Sequence, residues 1–471
     1  MQQQDTICAL ATPSGDGAVG IVRLSGSRAA ELLERAARGV TLRPRRMVRV
    51  DLFDPESDAA LDQVLVCLMR APRSYTGEDV VEVYGHGGRL NMEALLGLFV
   101  RLGARPAGPG EFTRRAFLNG RLDLTQAEAV AEVIAARGAR ALRNAHAVLG
   151  GALGREVRAV RAQAVALAAE LEACIDFAEE LGDGAVGEGL AERHRALLAQ
   201  LGRLVASYRR GRRLNGVSAV LVGAVNAGKS SLFNRLLGSR RALVSAEPGT
   251  TRDYLEAEVE WDGLRVTLID TAGDRQHERM SVLEREGLAL ARERARTADV
   301  VVQVIDVSVA GGAGAGESAG GESAGGGVGR VVVAHKVDLL AGELRRQRCR
   351  ALAAGAGGVG VVEASAATGE GLEALRAAVV AAALGDAAEA GGEGLGESRE
   401  TVQVTQERQW EALRRAELAL GAGLTALSEG TAPELVVEHT REALVALGEI
   451  TGETFTEDVL DAVFARFCVG K

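Results

Sequence analysis

Residues 223–231 carry glycines, a lysine and two serines in the pattern GxxxxGK[ST]. An apolar run, Val217 to Val222, precedes them, and a helical pattern with Leu232 and Leu236 follows. Strand, Gly-rich turn and helix are the setting in which this pattern binds phosphate, because glycines let backbone N–H groups approach the oxygens and the helix N-terminus favours negative charge. We therefore predict a nucleoside triphosphate site, with contacts from Asn226, Ala227, Gly228, Lys229, Ser230 and Ser231.

Polar segments in and after this loop are expected to complete a phosphate and metal site. Lys229 would reach the β- and γ-phosphates, and the Ser230 hydroxyl would hold Mg²⁺. A downstream threonine would close over the γ-phosphate, and the Asp270 carboxylate, after an apolar run, would bind the metal through water. The predicted contacts are Ser245, Ala246, Glu247, Pro248, Gly249, Thr250, Thr251, Asp270, Thr271, Ala272 and Gly273.

Two later segments carry groups suited to a guanine base. Asp338 can accept hydrogen bonds from the guanine N1–H and 2-amino groups, which adenine cannot donate, and the Ala366 N–H can meet guanine O6. Each segment alone is a weak signal, but four in this order at strand ends resemble the GTPase fold of the translation-factor class. The predicted base contacts are His335, Lys336, Val337, Asp338, Ser365, Ala366 and Ala367.

Two positions depart from the usual GTPase pattern. His335 stands where an asparagine usually donates to guanine N7 and also ties its loop to the phosphate loop. A histidine is expected to fill one of these roles, so GTP affinity should weaken while specificity through Asp338 survives. Asp274 replaces the water-orienting glutamine of small signalling GTPases, so another group must position the water. Asn226 suggests a potassium ion that supplies the charge of an arginine finger.

Composition limits the other functions. The 471 residues predict about three domains, and no apolar run reaches the roughly 18 residues of a membrane span. The N-terminus lacks the features of a signal peptide, and five scattered cysteines argue against zinc or a disulfide framework, so a cytoplasmic location is expected.

Because the chain has a net charge of −9, any contact with nucleic acid needs local basic patches. Candidates are Arg209, Arg210, Arg212, Arg213 and the stretch Arg43 to Arg49, although each alone is typical of a solvated face.

Patterning predicts a multidomain chain. Residues 1–120 form an α+β domain, 121–215 and 385–471 (which includes a linker) form an all-α domain from two segments, and 216–384 form an inserted α/β P-loop domain with a parallel sheet. Leu149, Leu153, Val157, Val160, Leu167 and Leu171 are predicted to form one stripe of a long helix. The Gly/Ala/Ser/Glu run at 310–329 is predicted to be a disordered loop.

Further motifs resemble one family over nearly the full length. They are Asp5-Thr6-Ile7, Gly77-Glu78-Asp79, Pro109-Gly110-Glu111-Phe112-Thr113, Leu122-Asp123-Leu124-Thr125 and the terminal Phe467-Cys468-Val469-Gly470-Lys471. This set is similar to the MnmE (TrmE) family of tRNA uridine-modifying GTPases. The resemblance implies that, with the FAD-dependent partner MnmG (GidA), the chain adds an aminomethyl-type (carboxymethylaminomethyl) group to C5 of the wobble uridine of certain tRNAs. It also implies a tetrahydrofolate derivative (5-formyl- or methylene-) as carbon source.

The resemblance also implies site residues and assembly. Folate would be bound by an N-terminal domain that also dimerises, through Arg23, Glu82, Arg121 and Lys471. Potassium would be bound by Asn226, Ser245, Glu247 and Thr250, and magnesium by Ser230 and Thr251. Glu284 would orient the attacking water, with Glu286 as the second choice, and Cys468 is a candidate catalytic thiol. The expected partners are a second copy of the chain, MnmG and tRNA, with no membrane.

Two other functions remain open from the sequence. A ribosome-assembly GTPase would be an RNA-binding switch without modification chemistry, and the GTPase segments alone fit it equally well. The folate-type N-terminal motifs and the FCVGK tail favour tRNA modification, because a pure assembly switch needs neither. A folate-dependent one-carbon transferase with a regulatory GTPase overlaps with the first function.

Overall fold

The structure, a computed structural model, describes residues 5–13, 15–37, 39–176, 188–238, 255–270, 298–309, 328–356, 358–385, 402–429 and 433–471. The chain divides into two compact units. The first unit comprises Met1–Ile134, Ala145–Gly202 and Glu411–Lys471. The second unit comprises Ala135–Asn144 and Arg203–Trp410.

The first unit contains a six-stranded sheet in the order β3-β4-β5-β2-β1-β6. Its strands are β1 (Ile7–Leu10), β2 (Val19–Ser25), β3 (Met47–Phe53), β4 (Ala60–Met69), β5 (Val80–His86) and β6 (Arg105–Pro106). All neighbours are antiparallel except β1 and β6. Helices α1 (Ala29–Ala36) and α2 (Arg89–Arg101) share with it a core that includes Val22, Leu33, Val83 and Phe99. The predicted α+β character of this segment is confirmed.

The remaining helices of the described residues follow in chain order. They are α3 (Glu111–Leu118), α4 (Leu124–Ala135), α5 (Ala139–Leu149), α6 (Ala152–Asp176), α7 (Glu188–Arg213), α8 (Lys229–Leu237), α9 (Gly342–Gly355), α10 (Leu372–Leu384), α11 (Glu407–Ser428), α12 (Pro433–Thr451) and α13 (Glu457–Phe464). In the first unit α6 packs along α12, although more than 250 residues separate them in sequence.

The predicted long helical stripe is wrong at its start. Leu149 ends α5, and the stripe from Leu153 to Leu171 belongs to α6. Gly151 separates the two helices with a φ of 81°, a left-handed conformation that interrupts a right-handed helix. Val157 and Val160 are fully buried, so the rest of the stripe faces the core as predicted.

The second unit contains a six-stranded sheet in the order β12-β11-β10-β7-β9-β8. Its strands are β7 (Val217–Val222), β8 (Leu255–Trp261), β9 (Leu264–Asp270), β10 (Val300–Asp306), β11 (Gly329–His335) and β12 (Val361–Ala364). The predicted parallel sheet is confirmed for five strands, whereas the edge strand β8 is antiparallel to β9 and was not predicted. Because parallel strands end at one edge, the C-terminal residues of β7, β9, β10, β11 and β12 lie along the same edge of the sheet.

None of the helices in the described ranges combines the length and the apolar character that crossing a bilayer requires.

Candidate functional site

The phosphate loop connects β7 to α8, as the sequence predicts. Gly223 has a φ of 155°, and a Cβ placed there would lie 2.2 Å from the Val304 carbonyl oxygen. Asn226 and Gly228 also have positive φ, 63° and 93°. Asparagine tolerates this left-handed region better than most residues, whereas a Cβ at Gly223 would be both strained and obstructed. The backbone of this loop therefore depends on its glycines.

Lys229 is the first residue of α8, and its ammonium lies within the loop. Nζ donates to the carbonyl oxygens of Gly223 and Ala224, each at 2.9 Å. The residue is only 9% exposed. Burial lowers the pKa of Lys229, and the Asp270 carboxylate opposes that change. The next residue, Ser230, is half-buried, and Ser231 is exposed.

Asp270 ends β9 and is fully buried. Its register partner on β7 is Leu221, two residues before the loop begins. Sequence and sheet register thus bring Asp270 and Lys229 together, as expected for a metal and phosphate site. The other predicted contacts of this part lie outside the described residues: Ser245, Ala246, Glu247, Pro248, Gly249, Thr250, Thr251, Thr271, Ala272, Gly273, Glu284 and Glu286.

Lys336 connects the predicted base segment to the phosphate loop. Its Nζ donates to the Asn226 carbonyl oxygen at 2.8 Å and to Asp306 Oδ2 at 2.6 Å. Burial raises the pKa of Asp306, but hydrogen bonds from Lys336 and Ser308 outweigh it and lower that pKa overall. Asp306 was not predicted as a site residue, although an acid at the end of β10 was the available signal. Lys336 thus contacts the backbone carbonyl of Asn226 and not its side chain.

His335 ends β11 and is 2% exposed. Its Nδ1 lies 2.8 Å from the Ala227 carbonyl oxygen, and the Ala366 N–H donates to Nε2 at 3.3 Å. Burial lowers the pKa of His335, which favours a neutral ring. Two roles were predicted for this position, and His335 fills the second: it ties its own loop to the phosphate loop.

The other base-segment residues differ in exposure. Val337 is buried, and Asp338 is exposed on a short 3₁₀ turn, Val337–Leu339. Ser365 is buried, and its Oγ accepts a hydrogen bond from the Thr368 N–H at 3.2 Å. Ala366 is half-buried and Ala367 is exposed. The exposed Asp338 carboxylate is therefore accessible to a base.

Two predicted folate residues form an ion pair in the first unit. Arg23 on β2 and Glu82 on β5 are register partners, and Arg23 Nε donates to Glu82 Oε1 at 2.9 Å. Tyr84 donates its hydroxyl to Glu82 Oε2 at 2.5 Å. The Arg23 guanidinium lies 5.8 Å from the ring centroid of Tyr75 and 5.8 Å from that of Phe112. This gives a charged pair lined by aromatic rings, which sequence reasoning did not describe.

The C-terminal tail packs beside this pair. Arg23 Nη1 donates to the Gly470 carbonyl oxygen at 3.3 Å, and the Phe112 N–H donates to the Lys471 carbonyl oxygen at 3.2 Å. Gly470 has a φ of 96°, and a Cβ there would lie 2.0 Å from the Leu10 carbonyl oxygen. The neighbouring Cys468 side chain is exposed. The structure therefore places the backbone of Gly470 and Lys471 beside the Arg23–Glu82 pair.

The fourth predicted folate residue, Arg121, has different neighbours. Its side-chain carbons lie 3.3 and 3.6 Å from a Cβ built at Gly77. Arg121 also lines an open cavity of about 460 Å³ together with Phe117, Asp123, Arg158 and Phe455. The described contacts connect Arg23, Glu82 and the tail to one another, but they do not include Arg121.

Comparisons with known proteins identify the family of the chain. The family described as "GTP-binding protein TrmE N-terminus" matches residues 6–121, and the family described as "MnmE helical domain" matches residues 124–468. The chain is 43% identical to the tRNA modification GTPase MnmE of Symbiobacterium thermophilum over 476 residues, 99% of this chain and 100% of that protein. Proteins of the same name from Myxococcus xanthus and Syntrophus aciditrophicus are 42% and 40% identical, each over 99% of this chain and over 99% and 100% of their own lengths. The chain belongs to the MnmE (TrmE) family of tRNA modification GTPases.

Proposed function

We propose that the chain hydrolyses GTP to drive modification of tRNA. The observation that carries the proposal is the loop around Lys229, in a chain whose relatives match it over nearly its whole length. Lys229 would exchange its two carbonyl partners for the β- and γ-phosphates, and the loop N–H groups would bind the remaining oxygens. Asp338 would select guanine.

Magnesium and potassium complete the proposed site. Magnesium would be held by Ser230 and Thr251 and through water by Asp270, and it would supply positive charge to the phosphate oxygens. Potassium would be bound by Asn226, Ser245, Glu247 and Thr250, with Glu247 contributing its backbone carbonyl. Glu284, or failing that Glu286, would orient the attacking water. These side chains need only to bind and orient, because phosphoryl transfer requires little covalent help from a protein.

We further propose that the modified position is C5 of the wobble uridine of certain tRNAs. The chain would act there with the FAD-dependent MnmG and would add an aminomethyl-type (carboxymethylaminomethyl) group from a tetrahydrofolate carbon. The Arg23–Glu82 pair supports folate binding, because a pterin offers N–H donors to a carboxylate and folate carboxylates suit a guanidinium. Arg121 and Lys471 are the other proposed folate contacts, and Cys468 is proposed as a thiol acting in the same site.

The assembly is proposed on the same grounds. The P-loop domain, 216–384, would be an insertion into a helical domain made by residues 121–215 and 385–471, and the N-terminal domain, 1–120, would dimerise. The contact of α6 with α12 supports a helical domain built from two distant segments. Because its substrate is tRNA, we propose that the chain works in the cytoplasm.

An arginine-rich surface of the second unit is the proposed tRNA contact. Residues 135–144, 203–215 and 402–410 contain nine arginines and one glutamate, in a chain with a net charge of −9. The Asn144 side chain and the Gln403 backbone exchange two hydrogen bonds of 2.9 and 3.1 Å, and the Val404 N–H donates to Ser207 Oγ at 3.1 Å, so the three segments are held together. The exposed arginines are Arg137, Arg143, Arg203, Arg209, Arg210 and Arg212.

Aromatic rings accompany these arginines. Tyr208 and Trp410 stack with centroids 5.1 Å apart, and the Arg212 guanidinium lies 6.0 Å from the Tyr208 centroid. Cations beside stacked rings suit RNA, which offers both phosphates and base faces.

The double variant Arg209→Ala/Arg212→Ala should bind tRNA more weakly and with a smaller salt dependence. The slope of log binding constant against log salt concentration should become shallower by about 0.7–0.9 for each phosphate that is no longer neutralised. Arg346→Ala/Arg350→Ala, exposed on α9, is the matched control. Equal weakening of tRNA binding in both variants would remove this surface from the proposal.

The first test of the function compares GTP hydrolysis in potassium and sodium buffers at equal ionic strength. Much faster hydrolysis in potassium is expected, and Asn226→Ala should remove the difference. Equal rates in the two buffers would argue against the potassium site, and the ribosome-assembly function would then gain support.

A further inference from the structure

The imidazole of His335 lies between the phosphate loop and the loop after β12. It packs on Gly228, where a Cβ would lie 2.4 Å from His335 Cε1 and 2.6 Å from Nδ1. One ring nitrogen faces the Ala227 carbonyl oxygen at 2.8 Å, and the other faces the Ala366 N–H at 3.3 Å. Both nitrogens are therefore engaged by backbone groups.

These two partners determine which nitrogen carries the proton. A carbonyl oxygen can only accept, so Nδ1 must donate to Ala227. A backbone N–H can only donate, so Nε2 must be the acceptor for Ala366. A neutral imidazole has a single N–H, which is already used. His335 thus has no hydrogen left for a base, whereas an asparagine amide at this position has two.

We propose that this chain recognises guanine without a hydrogen bond to N7. The inference rests on the proposed binding of guanine nucleotides and concerns how that site reads the base. Purine N7 is an acceptor, and the Nε2 lone pair of His335 has nothing to donate to it. His335 instead positions the phosphate loop and the Ala366 loop. The Ala366 N–H, which the sequence predicts to meet guanine O6, donates to Nε2 instead, so Asp338 alone distinguishes guanine from adenine through the N1–H and 2-amino groups of guanine.

A protonated ring could donate to N7, but the surroundings oppose it. A proton on Nε2 would point at the Ala366 N–H and break that hydrogen bond. Burial and the Lys336 ammonium disfavour the imidazolium, while Asp306, Asp338 and the Ala227 carbonyl favour it. The balance favours the neutral ring, since the pKa of His335 is lowered overall.

The test uses 7-deaza-GDP, in which a C–H group replaces N7. Binding of GDP, 7-deaza-GDP and ADP to the full chain is measured by calorimetry at pH 7.5 with magnesium and potassium present. The wild-type chain should bind 7-deaza-GDP within about twofold of GDP, because there is no N7 hydrogen bond to remove. The variant His335→Asn, which restores a donor, should bind 7-deaza-GDP roughly two- to tenfold more weakly than GDP.

The affinity of the wild-type chain for GDP relative to 7-deaza-GDP decides the outcome without any variant. If the wild-type chain prefers GDP over 7-deaza-GDP by tenfold, His335 donates to N7 and the proposal is wrong. If GDP and ADP bind equally, guanine binding itself is wrong and the proposal fails with it. The variant Asp338→Asn distinguishes selection of guanine from recognition of N7. It should abolish the preference for GDP over ADP while leaving the ratio of GDP to 7-deaza-GDP affinity unchanged.

Discussion

Lys229 shows how one side chain supports both the fold of a loop and its chemistry. Its ammonium donates to two loop carbonyl groups and is largely buried. In Lys229→Ala, GTP should bind roughly 10- to 150-fold more weakly, because a charge-assisted hydrogen bond contributes about 1.5–3 kcal/mol. Nucleotide titration measures this, and circular dichroism checks that the variant is folded. Asn234→Ala, exposed on the same helix, should bind GTP normally. Unchanged GTP affinity in the lysine variant would exclude Lys229 from the phosphate site.

At the scale of helices, Gly211 controls how α7 meets the segment around Val404. A Cβ at Gly211 would lie 1.8 Å from the Val404 carbonyl oxygen, so Gly211→Ala must displace that segment. We expect a loss of about 1–3 kcal/mol in unfolding free energy. Gly355, on α9 of the same unit, has nothing within 4 Å of its added Cβ, so Gly355→Ala should stabilise by up to about 1 kcal/mol. Urea unfolding of both variants measures the difference. Equal unfolding free energies of Gly211→Ala and Gly355→Ala would mean that the contact between α7 and the Val404 segment accommodates an added methyl group.

The elements themselves show what sequence patterning could and could not predict. Strand, turn and helix around residues 217–237 were predicted because apolar period, glycine and helix signals agree there. The edge strand β8, Leu255–Trp261, was missed although its apolar residues alternate with glutamates, which is the pattern of a half-buried strand. Family resemblance named Arg23 and Glu82 as folate residues but not as an ion pair. The hydrogen bond from Arg23 to the Gly470 carbonyl required the tertiary fold, since 447 residues separate the partners. Local signals predict elements, but not which distant segments meet.

Across the whole molecule, each unit contains a buried histidine, and both should weaken the fold in acid. In the first unit His194 is fully buried, and its Nε2 donates to the Leu420 carbonyl oxygen at 2.8 Å. Within the described residues, its Nδ1 has no hydrogen-bond partner. Burial lowers the pKa of His194, as it does that of His335 in the second unit, although the hydrogen bond to Leu420 opposes the change at His194. Both rings therefore stay neutral in the folded chain at a pH where they would be charged in the unfolded chain.

The sign of the pH dependence follows from this difference. Below the ordinary histidine pKa of 6.5, the unfolded chain takes up protons that the folded chain does not, so stability is complete above pH 6.5 and falls as the pH drops. His194→Gln keeps an N–H donor for the Leu420 carbonyl but cannot titrate. The melting temperature of the wild-type chain should therefore fall more steeply than that of His194→Gln between pH 7 and pH 5. His194→Gln/His335→Gln should have the flattest profile, since it removes a buried titrating ring from each unit. Thermal unfolding across this pH range measures the slopes, and parallel profiles for the three proteins would mean that other groups cause the acid sensitivity.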